Sequence, residues 1–297
     1  MQKKKIVFIL NPRAGTGKCR NLCKILNKCL DLQQFEYAIY PTQYRGHGEI
    51  LAAQAIDNQV DIVVAVGGDG TINEIARKLV NSNTALGIIP VGSGNGLAHH
   101  LKISSNVKKA VKIIQQASPQ LIDVLSVNDK ICISIAGMGF DAQVAELFDK
   151  SAKRGFFTYF SCILRAFFQY STQTYIVERE GIKPIEYKNI LLACIANSSQ
   201  WGFNVKLVPQ ASLQDGLADI CLLEKPSFGQ LGLRVIRLFS GNLYKDKSAT
   251  HLFQTAECTL KVKNQQTIST HIDGDPIEKC NSMKIKVLEK QLKILIP

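Results

Sequence analysis

Asp61-Ile-Val-Val-Ala-Val-Gly-Gly-Asp-Gly-Thr-Ile-Asn-Glu74 is the stretch that decides the fold. Five apolar residues in a row, closed by a glycine turn, read as a strand buried on both faces. The residues from 71 to 80 then take helical apolar spacing. A turn from a buried strand into an amphipathic helix is half of a parallel strand–helix–strand unit. The pattern repeats outward. Strands are predicted over 5–10, 35–40, 61–66 and 86–89, and helices over 18–30, 46–56, 71–80 and 107–116. This predicts an open parallel sheet covered on both faces, a Rossmann-like α/β domain.

Beyond about residue 121 the texture changes. Short β-rich segments are predicted at 121–127, 131–136, 172–179, 188–196, 217–223, 254–263, 267–272, 283–288 and 291–296. Turn formers such as Asn128-Asp129 and Glu289-Lys290 separate them, which predicts an antiparallel sandwich or barrel. Helices are expected within it at 141–151, 156–169 and 228–239. No linker marks the boundary. The change of pattern gives an α/β domain over 1–124 and a β-sandwich domain over 125–297.

The chain has 297 residues, 46% of them hydrophobic and 20% charged, a globular composition. No run of about 18 apolar residues exists to span a membrane. The apolar block 6–10 is too short for a signal-peptide core. Nine cysteines, an odd number without a Cys-x-x-Cys pair, argue against a disulfide framework or a zinc site and for a reducing cytoplasm. The net charge of +12 is uneven: eight Lys or Arg and no acid occupy the first 30 residues. The stretch 150–177, with Lys150, Lys153, Arg154 and Arg165, is also acid-free. Such surfaces serve solubility or attract nucleotide phosphates, nucleic acid or anionic lipid.

Three glycine-rich loops follow strands of the first domain, where an open parallel sheet holds its ligand. The first is Asn11-Pro12-Arg13-Ala14-Gly15-Thr-Gly-Lys18. It lacks the P-loop pattern but retains glycines for backbone approach to an anion, and Arg13 and Lys18 add charge. The second is Gly67-Gly68-Asp69-Gly70-Thr71, a phosphate cradle. Its aspartate repels phosphate unless a cation or proton donor intervenes, so Asp69 either serves Mg-nucleotide chemistry or caps the following helix. The third is Pro90-Val-Gly92-Ser93-Gly-Asn95-Gly-Leu-Ala98.

In order and spacing, these loops resemble the nucleotide-site motifs of the diacylglycerol-kinase-like lipid kinases, which include sphingosine and ceramide kinases. The resemblance covers nearly the whole chain. Gly-Gly-Asp-Gly alone is shared with NAD kinases and phosphofructokinases, whose first domain this one would resemble in fold; the three loops together are specific. The resemblance implies that ATP contacts Asn11, Pro12, Arg13, Ala14, Gly15, Thr42, Gly67, Gly68, Asp69, Gly70, Thr71, Asn73 and Ser93. Val208-Pro-Gln-Ala-Ser212-Leu-Gln-Asp215-Gly-Leu217-Ala-Asp219 is similar to the family's metal-binding turn. It implies Mg²⁺ held by the Asp215 carboxylate with Ser212 and Leu217 as carbonyl donors; an Asp-Gly turn before a strand is the plain alternative. His271-Ile-Asp273-Gly-Asp275-Pro resembles the family's Asp-Gly-Glu motif. Asp275 would then be the general base, with a reach about 1.5 Å shorter than a glutamate's.

An aromatic cluster lies over 156–170, with Phe156, Phe157, Tyr159, Phe160, Phe167, Phe168 and Tyr170. It reads as core packing, and in a lipid kinase part of it should line an acyl-chain cleft or touch the bilayer. The expected function is transfer of the ATP γ-phosphate to a lipid hydroxyl, of diacylglycerol or a sphingoid base or ceramide, by a cytoplasmic protein visiting anionic membranes peripherally. No nucleic-acid partner is expected, and the oligomeric state is open, a homodimer included. The alternatives are an NAD kinase, or a non-catalytic lipid- or nucleotide-binding protein on this fold. The acids at 69, 215 and 275 favour catalysis, since a binder needs none of them.

Overall fold

The computed structural model describes residues 3–15, 21–151, 155–202, 205–242, 245–246 and 249–297. Gly17, Lys18 and Cys19 at the end of the first loop, and Lys153 and Arg154, lie outside the described residues. The chain forms two compact units, residues 1–122 with 289–297, and 123–288.

The first unit runs β1 (Lys4–Leu10), α1 (Leu22–Cys29), β2 (Phe35–Pro41), α2 (His47–Asp57), β3 (Ile62–Gly67), α3 (Asp69–Leu79), β4 (Ala85–Pro90), α4 (Gly96–His100) and α5 (Val107–Gln116). Its strands pair in the order β4-β3-β1-β2, all parallel. Every residue of β3 and β4 is buried, as continuous apolar runs in a sheet covered on both faces require. The chain winds from β1 to β2 on one side, then returns to place β3 on the other. The order therefore reverses between β1 and β3, and a ligand crevice is expected outside the carboxyl ends of those strands.

The strand β5 (Pro119–Val127) carries the chain into the second unit. There follow β6 (Lys130–Cys132), β7 (Ile135–Gly139), α6 (Phe140–Asp149), α7 (Phe156–Gln169), β8 (Gln173–Arg179), β9 (Ile182–Ala196), β10 (Gln200–Gly202), β11 (Val205–Lys206), β12 (Ala218–Glu224), α8 (Phe228–Phe239), β13 (Thr250–Thr255), β14 (Glu257–Val262), β15 (Ile268–Ile272), β16 (Asp275–Cys280) and β17 (Ser282–Leu295). Pairing within the unit is antiparallel, and β9 is its hub: Gly137 of β7 and Cys221 of β12 flank Cys194 from its two sides. Alternate residues of β9 feed different cores. Ala193 and Ile195 join the sandwich interior, while Leu192, Cys194 and Ala196 pack with residues of α6 and α7. Burial on both faces explains the unbroken Ile-Leu-Leu-Ala-Cys-Ile-Ala run over 190–196.

The short elements α4 and β16 were not expected from the sequence, and three further details differ from the expectations. The segment 254–263 is two strands that separate at Ala256, whose carbonyl accepts from Val287 N at 2.8 Å. The turn expected at Glu289-Lys290 does not end a strand. Lys290 takes a left-handed φ of 54° and β17 continues to Leu295. The last nine residues, read from sequence as part of the second domain, thereby return to the first unit, where Ile294 pairs with Leu86 parallel to β4.

Candidate functional site

In the first unit, the loops after β1, β2, β3 and β4 share the carboxyl edge of one sheet. Asn11 ties two of them together. Its backbone N donates to Val66 O at 2.9 Å, its Nδ2 donates to Thr71 Oγ1 at 3.0 Å, and its Oδ1 accepts from Arg13 N at 2.9 Å. Pro12, Arg13 and Gly15 stand exposed beside it. Gly15 has a φ of 66° and lies against Val91, so that a Cβ there would stand 2.3 Å from Val91 O. No side chain fits that position.

Asp69 is the first residue of α3, and Gly68 is that helix's N-cap. Of the two readings of Asp69, a cap on its own helix is not what the structure has: its carboxylate caps α4 instead. Oδ2 accepts from Asn95 N at 2.7 Å and Oδ1 from Gly96 N at 2.6 Å. Burial pushes the Asp69 carboxyl up from its ordinary value, against the amides of Gly96, Asn95 and Asp69 itself and the His99 charge, which pull it down. The third loop is thus pinned to the second by a side chain from 26 positions upstream. The two loops also touch through Gly68 and Gly92. Gly70, in contrast, is exposed, with nothing within 4 Å of where its Cβ would lie. Ser93 is exposed, and Thr71 and Asn73 are buried.

Thr42 follows β2, its N bonded to Leu10 O at 2.8 Å. The chain from 42 to 47 is held by Glu74 of α3, whose Oε1 accepts from Gly46 N at 2.9 Å. His47 opens α2, with its ring stacked on Tyr44 at 4.8 Å and its Nδ1 accepting from Gln43 N.

In the second unit, Ser212, Asp215 and Leu217 share a tight turn. Asp215 Oδ1 accepts from Leu217 N at 3.1 Å, Ser212 Oγ accepts from Gln214 N at 3.2 Å, and Asp123 Oδ2 accepts from Gly216 N at 2.8 Å. Sequence reasoning passed over Asp219. It is buried, and neither carboxylate oxygen makes a hydrogen bond of good geometry, although the Gln254 amide stands near enough to act on its charge. Burial pushes its carboxyl up to about 6; the neighbouring Asp215 charge adds to the rise and the Gln254 amide opposes it. A buried carboxylate short of good hydrogen bonds, beside a second carboxylate, suits a hard divalent cation bound through oxygens. Among the described residues no cluster of three or more His, Cys, Asp or Glu forms a metal site, so such an ion would rest on Asp215, backbone carbonyls and water.

Asp275 begins β16, directly after the hairpin turn Asp273-Gly274 that joins it to β15. Both turn residues have positive φ, 55° and 83°, the two-residue turn that matches strand twist. The first aspartate of the motif is structural. Asp273 Oδ1 accepts from Ser134 N at 2.7 Å and from Ile135 N at 3.3 Å, and both oxygens accept from Ile133 N. Asp275 itself is half-buried.

The aromatic helix α7 divides by face. Tyr159, Ile163 and Phe167 pack inward around Cys162 and Ala166. Phe157, Leu164 and Phe168 face outward at 87%, 41% and 69% exposure. A cavity of about 600 Å³ opens beside this face, lined by Leu147, Phe157, Ser161 and Arg165 among others. Among the described residues no helix is long and apolar enough to cross a membrane.

Comparison with known proteins bears on both units. Residues 5–127 match the diacylglycerol kinase catalytic domain family, and residues 134–296 match the YegS C-terminal NAD kinase beta sandwich-like domain family. A diacylglycerol kinase of Staphylococcus haemolyticus is 30% identical over 230 residues, covering 76% of this chain and 69% of that protein. The "probable lipid kinase YegS-like" of Alcanivorax borkumensis is 27% identical, over 100% of this chain and 98% of its own. The crystal structure of a Bacillus anthracis diacylglycerol kinase shares the fold with a TM-score of 0.76 at 19% identity, covering 100% of this chain and 98% of that one.

Proposed function

The chain belongs to the diacylglycerol kinase–YegS family of lipid kinases, and we propose that it transfers the γ-phosphate of ATP to a lipid hydroxyl, diacylglycerol being the acceptor to try first. Relatives named diacylglycerol kinase motivate that acceptor. The carrying observation is the occupation of Asp69. An aspartate within a phosphate cradle is a contradiction unless its charge is compensated. Here two backbone N–H groups of the third loop compensate it. The start of α3 then offers its own amides and dipole to phosphate, with open space at Gly70.

Asn11, Pro12, Arg13, Ala14, Gly15, Thr42, Gly67–Thr71, Asn73 and Ser93 are the proposed nucleotide residues. Asp275 is the proposed general base, which takes the proton from the lipid hydroxyl as that oxygen attacks phosphorus. Phosphoryl transfer asks for positioning and charge stabilisation above all, and loop amides supply both. Asp215, with the Ser212 and Leu217 carbonyls, would hold Mg²⁺, and Asp219 lies close enough to sense the same charge. When bound, that ion supplies neutralisation of phosphate charge.

The outward stripe of α7 is the proposed membrane contact. Phe157, Leu164 and Phe168 supply apolar surface, and exposed Arg165 stands between them on a helix without acids. Such a face suits an anionic lipid surface.

ADP release, measured with Mg²⁺ and ATP against diacylglycerol, sphingosine, ceramide and NAD, tests the reading. Lipid-dependent release is expected. Turnover with NAD alone, or with nothing, defeats it.

A further inference from the structure

We propose that His271 is a positioning residue for Asp275, acting through the Asp273-Gly274 turn, and that Asp141 fixes the tautomer in which it does so. The proposal rests on the reading of Asp275 as general base.

Gly274 N lies 3.2 Å from His271 Nδ1. A backbone N–H only donates, so Nδ1 is the unprotonated nitrogen and the ring proton sits on Nε2. Nε2 lies 3.1 Å from Asp141 Oδ2 and donates to it. Both side chains are buried, at 4% and 0% exposure. Asp141 stands in the first turn of α6, its Oδ1 accepting from Ala142 N at 2.9 Å. It reaches His271 across β7 at Gly137, the residue directly opposite His271 in the β7–β15 pairing. A Cβ on Gly137 would stand 1.7 Å from Asp141 Oδ2. The glycine is what lets the carboxylate through.

The turn itself is tied at every polar group of its two central N–H positions. Asp273 N donates to Ile135 O at 2.7 Å, Gly274 N donates to the ring, and the Asp273 carboxylate holds the amides of 133–135. The next residue is Asp275. A two-residue turn of this type closes a hairpin unaided, and burying a carboxylate with an imidazole beneath it carries a desolvation cost. That expense is understandable where the residue after the turn must be held in one place, since a 1 Å misplacement of a reacting group can cost about 10²-fold in rate.

Two near-isosteric variants separate the ring's two bonds. His271→Asn keeps an acceptor where Nδ1 stands and cannot reach Asp141. His271→Gln keeps a donor near Nε2 and leaves Gly274 N unpaired. If the ring acts through Gly274, His271→Asn should melt lower yet keep kcat within about threefold of the parent, while His271→Gln should lose about tenfold or more with KM for ATP unchanged. In an Asp275→Asn background, His271→Gln should have no further effect on kcat. Imidazole ¹⁵N shifts of the parent should show the Nε2–H tautomer. The proposal is overturned by the Nδ1–H tautomer, by kcat following melting temperature in both variants, or by a His271→Gln effect that persists undiminished without the Asp275 carboxylate. A fully active Asp275→Asn enzyme condemns the base assignment. A fully active His271→Gln beside an inactive Asp275→Asn condemns the positioning role alone.

Discussion

Gly92 approaches Gly68 so closely that a Cβ on Gly92 would stand 2.5 Å from the Gly68 Cα. The glycines of the nucleotide loops therefore divide by purpose. Gly15, Gly67 and Gly92 are demanded by neighbouring protein atoms, at 2.3, 2.6 and 2.5 Å from the missing Cβ. Gly70 has no such neighbour, so its lack of a side chain leaves room for something outside the protein.

Gly70→Ala should leave the melting temperature unchanged and weaken ATP binding, because the added methyl meets only the ligand's space. Gly92→Ala should lower the melting temperature as the two loops are forced apart. Calorimetric titration with ATP, paired with thermal melts, checks both. Unchanged ATP affinity in Gly70→Ala would make that loop a connection only.

Asp69→Asn replaces one acceptor oxygen with a donor amide that faces the N–H of Asn95 or Gly96. Losing one of two bonds to a buried charged group should cost about 1–3 kcal/mol, and the 91–96 loop should exchange its amide hydrogens faster. ATP affinity should fall with it. Unaltered exchange at Asn95 and Gly96 would show that the pin is dispensable.

Asp275→Asn keeps the shape and removes the proton acceptor. A general base contributes about 10²–10⁴-fold, so kcat should fall by that order with little change in ATP affinity. Asp275→Glu asks whether the turn is set for the shorter acid: if so, the longer side chain is misplaced and kcat falls as well.

Asp219 gives a pH-dependent expectation. Its carboxyl is raised from 3.8 to about 6 in the folded protein, so the folded state holds that proton more tightly than the unfolded chain. Its stability contribution is complete below about pH 4 and is lost as pH rises through 6. A divalent cation favours the ionised form. The rise in melting temperature produced by Mg²⁺ should therefore be larger at pH 7 than at pH 5, and Asp219→Asn should flatten that difference. Equal shifts at both pH values in the parent would separate Asp219 from any cation.

Phe157→Ser with Phe168→Ser should leave the fold intact, both rings being mostly exposed, and reduce sedimentation with phosphatidylserine vesicles. Arg165→Glu should reduce it further, most at low salt. Vesicle binding equal to the parent's would move the membrane contact away from α7.

The strand and helix order of the first unit was legible because its apolar runs and helical spacing are local. The loops were legible for the same reason: each follows its strand directly. What joins them was not. Asp69 finds its partners at Asn95 and Gly96, and no local pattern announces a cap supplied from another helix's first turn. Asp219 sat inside a recognised motif yet read as part of a strand, since its burial and its shortage of good hydrogen bonds are properties of packing. The short strand β16 was hidden by Asp-Gly-Asp-Pro, a sequence that reads as turn alone. In α7, the outward position of Phe157 and Phe168 beside inward Tyr159 and Phe167 follows from which face meets α6, which a run rich in aromatics on all sides does not reveal.

The passage of β17 beyond Lys290 has a consequence for the order of synthesis. Asn81 N donates to Gln291 O at 2.8 Å, Lys293 Nζ to Asn83 Oδ1 at 2.9 Å, and Leu292 and Ile294 are fully buried. The first 122 residues leave the ribosome long before these partners exist. Until the last nine residues arrive, the flank of β4 that pairs with Ile294 waits open, and an open strand flank is where chains join wrongly. Nascent protein stalled anywhere short of Glu289 should therefore be more chaperone-dependent than its length alone would suggest.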